Sequence, residues 1–190
     1  MKLNTQKTLE QLKPVLISSK SEGPDPVYFV FQEIKDKKWS NITIIQNGKI
    51  GIEYPKTFGH YHSVNVNETY HVVAGKGVLQ LMKKHMEGDK WDPSKVDEVY
   101  LVRIKEGDDV IITPEYGHGL SNTGDFPLIT FDNWTVGHPA SDYEEIEKHH
   151  GLAYYLTEEN GKPKAIPNPN YRYSPEPIWI TAEEFANLKS

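Results

Sequence analysis

His60 and His62 stand two residues apart in Thr57-Phe58-Gly59-His60-Tyr61-His62-Ser63. On an extended strand, that spacing places both imidazoles on one face. Glu68 comes six residues after His62, close enough to fold back beside the pair. His118, in Pro114-Glu115-Tyr116-Gly117-His118-Gly119-Leu120-Ser121-Asn122, is a fourth candidate. Three imidazoles and a carboxylate make a nitrogen–oxygen donor set for one divalent metal, with coordination positions left open for substrate oxygens. Fe2+, Mn2+, Zn2+ and Ni2+ all accept such donors, so residue types alone do not choose among them. The chain has no cysteine, which excludes disulfides, thiolate ligands and a cysteine nucleophile.

The elements that must hold these side chains read as short strands. Val27-Tyr28-Phe29-Val30-Phe31 is a continuous apolar run, expected as a strand buried on both faces. Residues 41–46 form a strand, and Asn47-Gly48 predicts a hairpin into 49–54. Further strands are expected at 58–63, 68–73, 78–82, 97–104, 110–113 and 128–134, with 83–95 as an exposed excursion. Asn160-Gly161 predicts a second hairpin between 152–156 and 164–166. Helices are expected over 5–16, limited by Pro14, and over 142–149. Thr181 and Glu184 form a capping box, with Ile180 and Phe185 as a hydrophobic staple, for a terminal helix over 182–188. Many short strands with frequent turns mean an antiparallel sandwich or barrel.

At 190 residues and 37% hydrophobic content the chain suits one domain with a core. The net charge of −6, with no basic cluster, argues against nucleic acid as a partner. The chain lacks an apolar run of membrane-spanning length, and Met1-Lys2-Leu3-Asn4-Thr5-Gln6 lacks the apolar segment of a signal peptide, so no membrane partner and a cytoplasmic location are expected.

With these residues in view the chain resembles the cupin superfamily, whose first motif half is matched by His60, His62, Glu68 and Gly75, and whose second is matched loosely by Gly107, Pro114, His118 and Asn122. Within it, the chain is similar to the metal-dependent, cupin-type glucose-6-phosphate isomerases of archaea and some bacteria. That likeness rests on Gly59-His60-Tyr61-His62-Ser63, Glu68-x-Tyr70, Gly75-Lys76-Gly77, Asn122-Thr123-Gly124-Asp125-x-Pro127, Asp142-Tyr143, Glu159-Asn160-Gly161-Lys162 and Asn168-Pro169. Trp134 stands where the pattern has a tyrosine, and three residues separate His138 from Asp142.

The resemblance implies a mainly β, single-domain cupin, a double-stranded β-helix or jelly-roll barrel, with a short C-terminal helix. It divides the chain into an N-terminal arm (1–24), the barrel (25–172) and a tail with the helix (173–190). It implies interconversion of glucose 6-phosphate and fructose 6-phosphate, one divalent metal per subunit with Fe2+ foremost, and a homodimer acting on a small sugar phosphate. His60, His62, Glu68 and His118 would hold the metal on O1 and O2 of the open-chain sugar. Glu68 would carry the proton between carbons, with Tyr70 beside it. Thr43, Thr57 and Gly59 would cradle the phosphate, and Tyr28, Tyr116, Tyr143 and His138 would line the sugar pocket. His71 should face away from the metal, since Glu68, Tyr70 and Val72 share the other face of their strand. Isomerisation of another sugar or sugar phosphate, a non-catalytic sugar-binding cupin and a cupin oxygenase are the rival readings.

Overall fold

The computed structural model describes residues 1–189. Twelve strands and three helices run along them in the order β1 (Lys2–Lys7), α1 (Leu9–Leu12), β2 (Tyr28–Gln32), β3 (Asn41–Ile45), β4 (Glu68–Ala74), β5 (Lys76–Glu87), β6 (Lys90–Lys105), β7 (Asp109–Ile112), β8 (Tyr116–Asn122), β9 (Leu128–Asp132), α2 (Ser141–Lys148), β10 (Tyr154–Glu159), β11 (Lys162–Pro167), β12 (Ile178–Thr181) and α3 (Ala182–Lys189). A six-stranded sheet has the order β1-β2-β3-β9-β4-β7, and a four-stranded sheet the order β12-β6-β5-β8. The two sheets enclose one apolar core, with Ile45, Val72, Val110, Ile112 and Leu128 from the first and Leu79, Leu81, Val102, Ile104 and Leu120 from the second. This is the cupin barrel: alternation along β3, β7 and β9 turns every second residue toward the core.

Several segments differ from their sequence expectations. The N-terminal residues set apart as an arm contribute β1, which pairs antiparallel with β2. The helix expected over 5–16 is therefore reduced to one turn. Thr8 and Gln11 cap α1 reciprocally, and Pro14 takes the chain into a short 3-10 turn at Lys13–Val15. The apolar run at 27–31 is not buried on both faces, since Phe29, Val30 and Phe31 are only half-buried. The Asn47-Gly48 hairpin does not form, because β2 and β9 already flank β3 on both sides. Asn47 instead donates its Nδ2 to the Asp125 carbonyl at 2.9 Å.

The expected excursion at 83–95 is the outer end of one long ribbon made by β5 and β6, tied by His85–Asp97 at 2.6 Å and Lys83–Glu98 at 2.6 Å. His85 is half-buried, as is His149, stacked on Tyr171 at 4.5 Å. The terminal helix expected over 182–188 is present as α3, with its capping box. Thr181 N donates to Glu184 Oε2 and Glu184 N to Thr181 Oγ1, closing the capping box of α3. Phe185 packs edge-on against Tyr100 at 5.3 Å, and β12 runs parallel to β6. Asn160 and Gly161 both take positive φ (53° and 73°), the conformation required by the β10–β11 turn.

Candidate metal centre and its cavity

The residues 58–63 are not a strand. They are held to β8 by an isolated bridge in which His60 N donates to His118 O at 3.0 Å and His118 N to His60 O at 2.9 Å. Gly59 permits this close approach. Its φ of +83° is left-handed, and a Cβ there would press on Leu152 at 3.1 Å and on the His118 carbonyl at 3.3 Å. Glu68 opens β4, and His118 lies in β8, a strand buried along its whole length to which sequence periodicity assigned no strand.

One donor atom from each of His60, His62, Glu68 and His118 lies within 4.8 Å of the others. Glu68 Oε2 is 3.2 Å from His62 Nε2 and 3.0 Å from His118 Nε2, and the Nε2 atoms of His60 and His62 are 3.3 Å apart. Yet Glu68 Oε2, His118 Nε2, His118 Nδ1 and His62 Nδ1 are buried with no hydrogen bond. Buried polar atoms this close without hydrogen-bond geometry are costly unless something else satisfies them. A divalent cation would do so for the converging lone pairs, and the donor set fits one. Burial raises the Glu68 carboxyl, but His118 and His62 outweigh it and hold it at about 2. Burial, with His118, His138 and His62, holds His60 well below the usual histidine value, in the neutral form that ligates metal.

His60 and Glu68 open onto a cavity of about 300 Å³, whose walls also include Thr43, Thr57, Gly59, Tyr70, His138 and Tyr143. Tyr28, another expected pocket tyrosine, is there too. Thr57 Oγ1 accepts from Leu120 N at 3.0 Å, which leaves its own proton to donate elsewhere. His138 lies 4.1 Å from the His60 ring and stacks on Trp134 at 5.2 Å. Its Nδ1 faces Asp142 Oδ2 at 3.2 Å, and burial lowers its pKa. Trp134 in turn lies flat on His62 at 4.0 Å, so the departure from the family's tyrosine becomes a wall against a donor ring.

Tyr116 is a correction. It shares the inner face with His118, but its hydroxyl donates to Glu98 Oε2 at 2.6 Å, and it does not line the cavity. Position in the chain placed it near a donor, whereas the ring leans toward Tyr100. His71 turns outward as expected and pairs with Asp109 at 2.6 Å.

Sequence reading missed Asp132. It is buried beside the cavity and accepts from Asn41 Nδ2 at 2.5 Å and Trp134 N at 3.0 Å. Burial, then Glu68, raises it to about 7. Its signal was available: it is a lone carboxylate inside the apolar run 128–134.

Residues 28–172 match the sequence profile of the family described as Glucose-6-phosphate isomerase (GPI). The chain belongs to this family. Among its relatives, the glucose-6-phosphate isomerase of Thermococcus litoralis is 32% identical over 158 residues, covering 80% of this chain and 75% of the relative. That of Thermococcus onnurineus is 33% identical over 151 residues, covering 77% and 71%. That of Pyrococcus abyssi is 30% identical over 177 residues, covering 86% of both. The family match spans every donor and every cavity residue named above.

Proposed function

We propose that the protein interconverts glucose 6-phosphate and fructose 6-phosphate, with His60, His62, Glu68 and His118 holding one divalent metal, Fe2+ foremost. The supporting observation is the convergence of four donor side chains within 4.8 Å of one another, with Glu68 Oε2 and His118 Nε2 left without a hydrogen bond and with His60 and Glu68 on the wall of a cavity that Thr43, Thr57 and Gly59 also line, in a chain of the GPI family. When bound, the metal supplies a Lewis acid for the carbonyl end of the open-chain sugar.

The chain's own groups account for the rest. Glu68 stays ionised throughout the neutral range and is the carboxylate placed to accept the C–H proton and return it to the neighbouring carbon. Burial, then Glu68, pushes Tyr70 well above the ordinary tyrosine value, so its hydroxyl remains a donor toward a sugar oxygen. His138, oriented through Nδ1 by Asp142, keeps Nε2 as an acceptor for the hydroxyl proton released on ring opening. Tyr143 stands opposite it, 6.0 Å between ring centres. Thr43, Thr57 and the Gly59 amide are assigned to the phosphate, as donors to an anion.

On this reading the enzyme works between glycolysis and gluconeogenesis in the cytoplasm. We place the homodimer contact along the open edge of β1, which ends the six-stranded sheet. A sedimentation mass of one subunit at micromolar concentration would remove that contact.

The test is a coupled assay for glucose 6-phosphate made from fructose 6-phosphate. Protein is stripped of metal and reloaded separately with Fe2+, Mn2+, Ni2+ and Zn2+. Turnover restored by metal supports the reading. Stoichiometric metal without turnover keeps the centre and discards this substrate.

A further inference from the structure

Lys7 is the single lysine or arginine among the residues lining the metal-side cavity, and it comes from β1, outside the segment 28–172 matched by the family. Its backbone is fixed by two neighbours: it pairs with Tyr28 across the β1–β2 ladder, and its carbonyl accepts from Val27 N at 2.8 Å. The side chain reaches over the Phe58 ring, with Nζ 5.1 Å from the ring centre. Phe58 lies between Thr57 and Gly59 in the chain, and Lys7 lines the same cavity as Thr43, Thr57 and Gly59, the residues assigned to the phosphate.

Among the described residues no carboxylate lies within the 4.0 Å ion-pair distance of this Nζ, although most other lysines of the barrel surface that are half-buried have one, as Lys56 does with Glu53 at 2.5 Å. Burial lowers the Lys7 pKa, and Glu147 opposes it only at a distance. A half-buried ammonium without a close partner is unfavourable by itself. The acidic side chains on the cavity wall are Glu68 and Asp132. A phosphate dianion entering this cavity finds in Lys7 the one side-chain ammonium on its wall.

We propose that Lys7 is the cation that binds the phosphate of the substrate and sets preference for a phosphorylated sugar over a neutral one. This rests on the sugar-phosphate reading given above. Lysine acts here as a point charge complementing the neutral donors of Thr43, Thr57 and Gly59, and the N-terminal strand becomes part of the binding site.

The test compares wild type with Lys7→Met, which keeps the apolar stem over Phe58, with Lys7→Arg, and with Lys2→Met as an exposed control on the same strand. Calorimetric binding of fructose 6-phosphate, fructose and inorganic phosphate is read beside steady-state rates. For Lys7→Met the expected result is a rise of about 10–100-fold in Kd and KM for fructose 6-phosphate, the size of a lost charge-assisted contact, with kcat within about threefold. Weakened binding of inorganic phosphate, unchanged binding of fructose, largely restored binding in Lys7→Arg, and unchanged melting temperature and metal content complete the expected pattern.

Equal binding of fructose 6-phosphate by wild type and Lys7→Met, in a wild type that turns it over, overturns the role of Lys7 and leaves the isomerase standing. A wild type that binds phosphate through Lys7 but turns over no fructose 6-phosphate overturns the isomerase and leaves Lys7 standing. A wild type that binds neither phosphate nor fructose 6-phosphate at millimolar concentration overturns the role of Lys7.

Discussion

The molecule sets histidine against carboxylate in two kinds of place. Inside the barrel, His62 and His118 meet Glu68 at 3.2 and 3.0 Å, with side chains no more than 2% exposed. On the outside, His71 meets Asp109 and His85 meets Asp97, each at 2.6 Å and a quarter to a half exposed. The outer pairs are shorter and form hydrogen bonds. By distance alone they would look like the stronger sites. The inner group differs in having several donors aimed at one point and atoms left unsatisfied. An exposed pair is complete with one partner and is screened by water. The buried group is incomplete as it stands, and that incompleteness is what suits it to hold a metal.

The contrast can be broken most severely at His62. His62→Ala is expected to lose metal at equilibrium dialysis and to lower kcat/KM by at least about 10³-fold, the loss of several kcal/mol of Lewis-acid stabilisation. Retained metal and near-normal turnover would erase the distinction between inner and outer histidines. Glu68→Gln separates ligand from base. Turnover is expected to fall by about 10²–10⁴-fold even in preparations where metal analysis finds a full complement, and solvent hydrogen should stop entering the product. Undiminished solvent exchange in this variant would remove Glu68 from the proton transfer.

Asp132 sharpens the same contrast through pH. Its folded value of about 7 lies above the ordinary 3.8, so its carboxyl favours the fold below 3.8 and that contribution is lost as pH rises through 7. In metal-free protein, Asp132→Asn should therefore gain stability over the parent progressively from pH 4 to pH 8, by roughly a few kcal/mol at the upper end. A gap in melting temperature that does not change with pH would contradict a buried, destabilised carboxylate. The smallest effect is expected outside. His71→Ala should change stability by about 1 kcal/mol or less and leave metal content and turnover alone.

The inner donors could be read in sequence because their chemistry is dense: His-x-His, a nearby glutamate and a distant histidine in a glycine-flanked string are unusual together. Their scaffold was less readable. The strand carrying His118 contains Gly117, Gly119, Ser121 and Asn122, none of them strand formers, and its pairing with β5 is a tertiary effect. The two glycines are needed for space, since a Cβ at Gly117 would strike the Tyr61 ring at 2.5 Å and one at Gly119 would meet Leu152 at 2.9 Å. Asn47-Gly48 misled for a related reason: a local turn preference lost to the two strands that already flank β3. Lys7 carried no signal at all, because a polar strand at a sheet edge has the composition of a loop.

The strand order also bears on the time course of assembly. β9 lies between β3 and β4, two strands that precede it in the chain by long intervals. Until Leu128–Asp132 has been synthesised and inserted, the wall bearing Lys7 and Thr43 is not joined to the wall bearing Glu68 and Tyr70. Non-local pairing of this kind places folding on the millisecond-to-second scale, as the closure of long loops must precede the contacts that reward it. A nascent chain thus presents His60, His62, Glu68 and His118 to its surroundings before β9 exists to complete the chamber around them.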